Sequence, residues 1–113
     1  MKEIRQGDLF WLDVGSAPAE RHPCVVVQSD AFNRSRIATT VVCLITSNLA
    51  RAVAPGNVAL KKSEGYLSRA SVVNVSQIVT VDKTELRESI GRLPGATLES
   101  VLTGLRLLFE ANY

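Results

Sequence analysis

Residues 22–48 read HPCVVVQSDAFNRSRIATTVVCLITSN, and the fold turns on how the two apolar runs within this stretch relate to each other. CVVVQ (24–28) and ATTVVCLIT (38–46) are rich in β-branched residues and apolar at successive positions. Each therefore reads as a strand buried on both faces, not as a half-exposed one. Between them, SDAFNRSR supplies Asp30, Asn33 and Ser35, side chains that favour a turn or a short helix. A connection of about ten residues predicts that the two strands lie side by side and antiparallel. That arrangement carries the start of the first, at His22, and the finish of the second, at Thr46, to the same end of the sheet. Pro23 biases the chain's single histidine toward extended backbone, which places the imidazole at a loop-to-strand junction.

Outward from this pair the pattern stays mostly β. GDLFWLDV (7–14) predicts a first strand, and the small, polar, proline-bearing residues 15–22 predict a loop. NVALKK (57–62), SVVNV (71–75) and QIVTV (77–81) read as further short strands. Asp82 opens a DKTE capping-box pattern, so one helical turn is expected over 83–86. ESIGRL (88–93) predicts a last strand, broken by Pro94 and Gly95. The final segment changes period: Leu98, Val101, Leu102, Leu105, Leu108 and Phe109 fall on one stripe of an amphipathic helix, to be buried against the strands or against a second copy of the chain. Gly104 inside this helix costs about 1 kcal/mol relative to alanine. The expected fold is mainly β with α: one domain over 1–113, built as a small, strongly curved antiparallel sheet or barrel with a C-terminal amphipathic helix.

Composition narrows the function. With 113 residues, 46% of them hydrophobic, the chain suits one packed domain and not a disordered segment. Its longest apolar runs, such as CVVV (24–27) and VVCLI (41–45), fall far short of the roughly 20 residues a membrane span needs. The N-terminus, MKEIRQGDLFWLDV, lacks the apolar core and cleavage site of a signal peptide, so a cytoplasmic protein is expected. Cys24 and Cys43 sit in β-branched strands and read as buried, reduced thiols. A metal site shared by His22, Cys24 and Cys43 is disfavoured, because no CxxC or HxxxH accompanies them. The net charge of +2 does not by itself indicate nucleic acid, although nine of the thirteen basic residues are arginine, the side chain suited to phosphate and base-edge contacts.

No P-loop, dinucleotide glycine fingerprint, HExxH or GxSxG stands in the chain. What remains is Arg21, His22, Thr46, Ser47 and Asn48 at one end of two buried strands. Such residues suit RNA cleavage in which the RNA's own 2′-hydroxyl is the nucleophile. That reaction requires a proton acceptor, a proton donor to the leaving 5′-oxygen, and cationic or hydroxyl donors around the phosphorane. It requires neither a metal nor a protein nucleophile. An imidazole serves as acid or base near neutral pH, whereas arginine is a poor base and a good stabiliser of phosphate charge. The plainer reading of His22 is a residue that caps a strand end through a hydrogen bond.

The sequence resembles the MazF/PemK family of toxin endoribonucleases over essentially its whole length. The resemblance rests on RQGDLFWLDV (5–14), HPCVVVQSDAFNRS (22–35), LITSN (44–48), PGNVAL (55–60), SVVNVSQIVTVDK (71–83), IGRL (90–93) and the terminal helix. It implies an SH3-like barrel of the CcdB/MazF type, homodimeric, cutting single-stranded RNA, messenger RNA above all, at short motifs without metal or other cofactor. The implied products carry 2′,3′-cyclic phosphate and 5′-hydroxyl ends, and the consequence is arrest of translation and growth. It also implies a MazE-like antitoxin whose disordered tail folds onto the dimer and blocks the RNA groove.

The family's catalytic pair is an arginine immediately before the proline of an R-P motif and the threonine of an I-T motif. Thr46 matches the second. At the first, His22 stands before Pro23 and Arg21 lies one residue earlier; the loop after Asp13 is also shorter than the family's common form. Adjacent side chains of an extended segment point to opposite faces, so the two do not simply exchange. Three readings stay open: His22 replaces the arginine, with Thr46 and Arg21 holding the phosphate; Arg21 swings inward and His22 is a spectator; or catalysis has been lost and the domain binds RNA or an antitoxin without cutting. Ser47, Asn48, Arg51, Lys61, Lys62 and Arg69 are the expected RNA contacts, with Tyr66 a candidate for base stacking, while Phe10 and Trp11 are assigned to the core. A CcdB-like topoisomerase poison is the alternative on the same barrel, though LLFEANY at the C-terminus lacks an evident interaction motif.

Overall fold

The computed structural model describes residues 3–14 and 21–113, so residues 15–20 of the loop expected over 15–22 lie outside the described residues. The strands are β1 (Asp8–Asp13), β2 (Arg21–Val26), β3 (Thr39–Thr46), β4 (Val58–Leu60), β5 (Ser71–Asp82) and β6 (Glu88–Arg92). Two α-helices accompany them, α1 (Asp30–Asn33) and α2 (Gly95–Leu108). Among the described residues the strands form one curled sheet in the order β4-β5-β3-β2-β1-β6, every neighbouring pair antiparallel. The expected small, curved antiparallel sheet with a C-terminal helix is what the chain forms. No helix among the described residues is long and apolar enough to cross a membrane.

β2 and β3 lie at the centre, paired as Cys24 with Leu44, Val25 with Cys43 and Val26 with Val42. Alternation along these strands divides their apolar residues between two clusters. Val25, Cys43 and Ile45 join Leu9, Val73 and Val101 in one, against which α2 packs. Cys24, Val26 and Val42 join Phe10, Leu12 and Leu86 in the other. Each such side chain contributes about 1.5–3 kcal/mol through burial, which is why residues 24–26 and 41–45 are apolar without interruption. The β2–β3 connection is held by Asn33, which is itself buried. Its amide donates to Gln28 O at 2.9 Å and its Oδ1 accepts from Gln28 Nε2 at 2.9 Å and Thr40 Oγ1 at 2.8 Å. With the strand register so tied down, the position of each strand end is tied down too.

The structure departs from the expected elements at four places. β2 begins at Arg21, not Cys24, so Arg21 and His22 belong to a strand and not to a loop. Pro23 is tolerated there because pairing with β3 begins only at Cys24, and its missing N–H leaves no gap in the ladder. The strand expected over 57–62 is only Val58–Leu60, which leaves Lys61 and Lys62 outside it. Residues 71–75 and 77–81 are one strand: Asn74 pairs with Leu44 and Ile78 with Cys43, so Val75, Ser76 and Gln77 form a bulge with no opposite residue on β3. In α2, Leu98, Val101 and Leu105 pack on the first cluster, but Leu108 and Phe109 are exposed, so the stripe is buried over its first three turns only. The turn at Lys83–Glu85 forms as expected, with the Glu85 carboxylate accepting the Asp82 N–H at 2.8 Å.

The two thiols are free and buried in different clusters, so they do not converge with His22 on a common ion. Burial pushes both Cys24 and Cys43 from an ordinary 9.0 up to about 12. A raised pKa means that the unfolded chain releases its thiol protons first. The thiols therefore favour the fold fully below pH 9, and the advantage drains away as pH rises from 9 toward 12, by about 1.4 kcal/mol per cysteine per pH unit. Equilibrium urea unfolding at pH 8 and pH 10 should show stability falling by about 2–3 kcal/mol, and Cys24→Ala/Cys43→Ala should flatten that fall. An equal fall in the double variant would assign it to other groups.

Candidate active site

Carried two residues beyond its last paired position, the β2–β3 register sets His22 opposite Thr46 at the end of the sheet. The two residues stand between two cavities and line both. The first, of about 390 Å³, is bounded by Trp11, Arg21, Ser47, Tyr66 and Arg69. The second, of about 370 Å³, is bounded by Asn48, Arg51, Asn74, Ser76 and Gln77. Both are open, so a chain passing from one to the other would cross the His22–Thr46 pair.

Thr46 is prepared to donate. Its Oγ1 accepts the backbone N–H of Asn48 at 3.1 Å, which occupies a lone pair and leaves the hydroxyl proton for an outside acceptor. Asn48 in turn caps the 3-10 turn Leu49–Val53, accepting from the Ala50 N–H at 3.2 Å, and this turn carries Arg51.

Arg21 is placed differently. It lies on the strand face opposite His22, across from Asp13 and over Trp11, 4.8 Å from the ring centroid. Its guanidinium reaches Glu88 at 2.9 Å and Asp13 at 3.9 Å. These pairs are partly solvated and contribute little to stability, about 0–1 kcal/mol each, but they orient the guanidinium along the cavity wall. Trp11 is half-buried and forms that wall, whereas Phe10 is buried as core, so only Phe10 keeps the role expected for both. Tyr66, 79% exposed, stands on the opposite rim with a positive φ of 70°.

The family description "PemK-like, MazF-like toxin of type II toxin-antitoxin system" matches residues 5–109. The chain belongs to this family. Endoribonuclease MazF6 of Mycobacterium tuberculosis and endoribonuclease MazF2 of Mycobacterium bovis are each 43% identical to it over 111 residues, covering 95% of this chain and 97% of theirs. Among solved structures, an endoribonuclease in complex with its cognate antitoxin from a mycobacterial species superposes with a TM-score of 0.77 at 25% identity, over 100% of this chain and 99% of that one. The MazE–MazF complex of Deinococcus radiodurans has the same fold, with a TM-score of 0.76 at 23% identity, over 99% of this chain and 100% of the MazF chain.

Seen as a MazF/PemK chain, the site brings together most of the residues singled out in the sequence. Arg21, His22, Thr46, Ser47 and Arg69 meet at the first cavity, and Asn48 and Arg51 join His22 and Thr46 at the second. Lys61 and Lys62 line neither; they follow β4, where the Lys61 N–H is held by Glu64 at 3.0 Å. Sequence reasoning did not select Asn74, Ser76 or Gln77. The bulge that presents them depends on pairing with β3; in the sequence Ser76 marks only a break between two apolar runs.

Proposed function

We propose that this toxin cleaves single-stranded RNA through the RNA's own 2′-hydroxyl, with His22 as the proton acceptor and Thr46 as a hydrogen-bond donor to the phosphate. That the chain is a toxin endoribonuclease goes with its family and with its relatives of that name at 43% identity. The observation that carries the chemistry is His22 facing Thr46 between two open cavities. In the step, the neutral imidazole takes the 2′-hydroxyl proton, the 2′-oxygen bonds to phosphorus, and the bond from phosphorus to the 5′-oxygen breaks. The departing oxygen takes a proton from water, which the open groove admits. The Thr46 hydroxyl donates to the charge that builds on the non-bridging oxygens. Arg21, oriented along the wall by Glu88 and Asp13, adds positive potential beside the flanking nucleotide, and Trp11 and Tyr66 offer ring faces for stacking.

The enzyme acts in the cytoplasm as a homodimer. A MazE-like antitoxin neutralises it by laying a tail over the groove; the mycobacterial neighbour of the same fold is itself in complex with its cognate antitoxin.

The purified protein, incubated with a long mixed-sequence RNA in EDTA at pH 7.5, is expected to cut at one recurring short motif. The new 5′ ends should accept phosphate from polynucleotide kinase without prior dephosphorylation. Intact RNA with folded protein would instead support a domain that binds RNA or antitoxin without cutting, with the change to His22 as the reason.

A further inference from the structure

The cavity bounded by the β5 bulge has a feature that the cleavage chemistry does not use: Asn48, Arg51 and Gln77, which line it, each keep an unpaired N–H group among the described residues. Ser76 Oγ donates to Asn74 Oδ1 at 3.0 Å, and Asn74 Nδ2 donates to Gln77 Oε1 at 3.1 Å. Gln77 thus turns its amide oxygen to Asn74 inside the bulge, and among the described residues its Nε2 has no hydrogen-bond partner. The Asn48 Oδ1 is likewise engaged, by the Ala50 N–H, and its amide nitrogen is the unpaired end. Arg51, a pure donor, stands on the same cavity, and its guanidinium has no partner among the described residues. The bulge itself is built in. The Val75 N–H, freed from β3, is taken by Asn57 Oδ1 at 3.0 Å, and Asn57 Nδ2 donates to Arg51 O at 2.9 Å. The same asparagine therefore fixes both sides of the cavity.

We infer that this cavity holds the base next to the scissile phosphate and selects a keto base, guanine or uracil, over adenine or cytosine. Single-stranded RNA is read on the exposed edges of unstacked bases. Guanine presents the O6 and N7 acceptors and uracil the O4 acceptor, which match a rim of amide and guanidinium N–H groups. Adenine and cytosine present an exocyclic amine that meets another donor there. A glutamine free to use both ends pairs with the N6 and N7 of adenine; Gln77 is a poorer partner for that pairing because Asn74 already occupies one lone pair of its oxygen and fixes where it points. Sharing His22 and Thr46 with the reaction centre places this cavity one nucleotide from the cut.

The inference rests on the ribonuclease reading, and the test separates the two. An RNA library randomised around the cut site is digested by the wild type and by Q77E, N74A and R51A, and the cut ends are sequenced. In the wild type, one position flanking the cut is expected to favour guanine or uracil by about tenfold. Q77E, which turns the donor into an acceptor, should shift that position toward adenine and cytosine. N74A, which frees the Gln77 oxygen, should admit adenine, and R51A should weaken the keto preference. Gln77 is exposed, so the isosteric change leaves the packing alone. If the wild type cuts but Q77E keeps the same base preference, or if an amino base is favoured at both flanking positions, the selectivity inference is overturned and the ribonuclease reading stands. Intact RNA with the wild type overturns both.

Discussion

His22→Ala slows RNA cleavage at pH 7.5 by about a hundredfold or more, the usual cost of removing a general base from a site that is otherwise intact. Thr46→Val, which keeps the shape and removes the hydroxyl, costs a similar factor, because the donor to the non-bridging oxygens is gone. Arg21→Ala costs about tenfold or less, since its guanidinium is already shared between Glu88 and Asp13 on the opposite strand face. Single-turnover rates on an oligonucleotide carrying the preferred motif give the comparison directly. The pH profile supplies the second readout. A protonated imidazole cannot accept the 2′-hydroxyl proton, so the wild-type rate should fall toward acid. His22→Arg restores the residue type that the family carries before this proline, and it should retain measurable cleavage without that acid limb. An unimpaired His22→Ala enzyme with a flat profile would sink the assignment, and loss of activity confined to Arg21→Ala would transfer the role to Arg21.

Replacing Gly104 by alanine lowers stability by about 2–3 kcal/mol and Tm by about 10 °C, although helix propensity alone favours alanine by about 1 kcal/mol. A Cβ at Gly104 would lie 2.2 Å from the carbonyl oxygen of Gly56 and 3.0 Å from its carbon, backbone atoms with nothing flexible to give way. Gly56 itself has a φ of +78° and sits 3.0 Å from Gly104 O when given a Cβ, so the contact is closed from both sides. Gly95→Ala in the first turn of the same helix meets nothing within 4 Å and should be neutral or stabilising. Thermal and urea unfolding of the two variants therefore give shifts of opposite sign or very different size. Equal small shifts would mean that the helix does not seat against the 55–57 segment in this way. The same contact bears on the site, because the adjacent Asn57 braces both the β5 bulge and Arg51. Gly104→Ala should blur the motif preference as well as lower Tm.

The fold is legible in the sequence where local pattern and burial agree. The double-sided apolar runs at 24–28 and 38–46 admit no arrangement but central strands, and the polar ten-residue link leaves antiparallel pairing as the short connection. It is not legible where a feature depends on what lies opposite. SVVNV and QIVTV look like two strands because Ser76 interrupts the apolar pattern, yet the chain continues straight through and bulges at that serine. Gly104 looked like a mild defect in a helix because the atom that requires it, Gly56 O, is 48 positions away in the chain. Trp11 looked like core because the strand around it is apolar; only Arg21 stacked over its ring, with Glu88 brought alongside from β6, shows it to be a cavity wall.

For the site, the sequence by itself determined the residue types available: one imidazole held extended by Pro23, a threonine at a strand end, and the family to which their surroundings belong. These follow from local restriction of the backbone and from a pattern of residues along one chain. Tertiary structure decided which of Arg21 and His22 faces Thr46, and it placed Asn74 and Gln77 on the far side of that pair. Both outcomes depend on strand register, which is set by the packing of two clusters and the Asn33 hydrogen bonds together, and a shift of a single residue would turn every side chain of β2 to the other face.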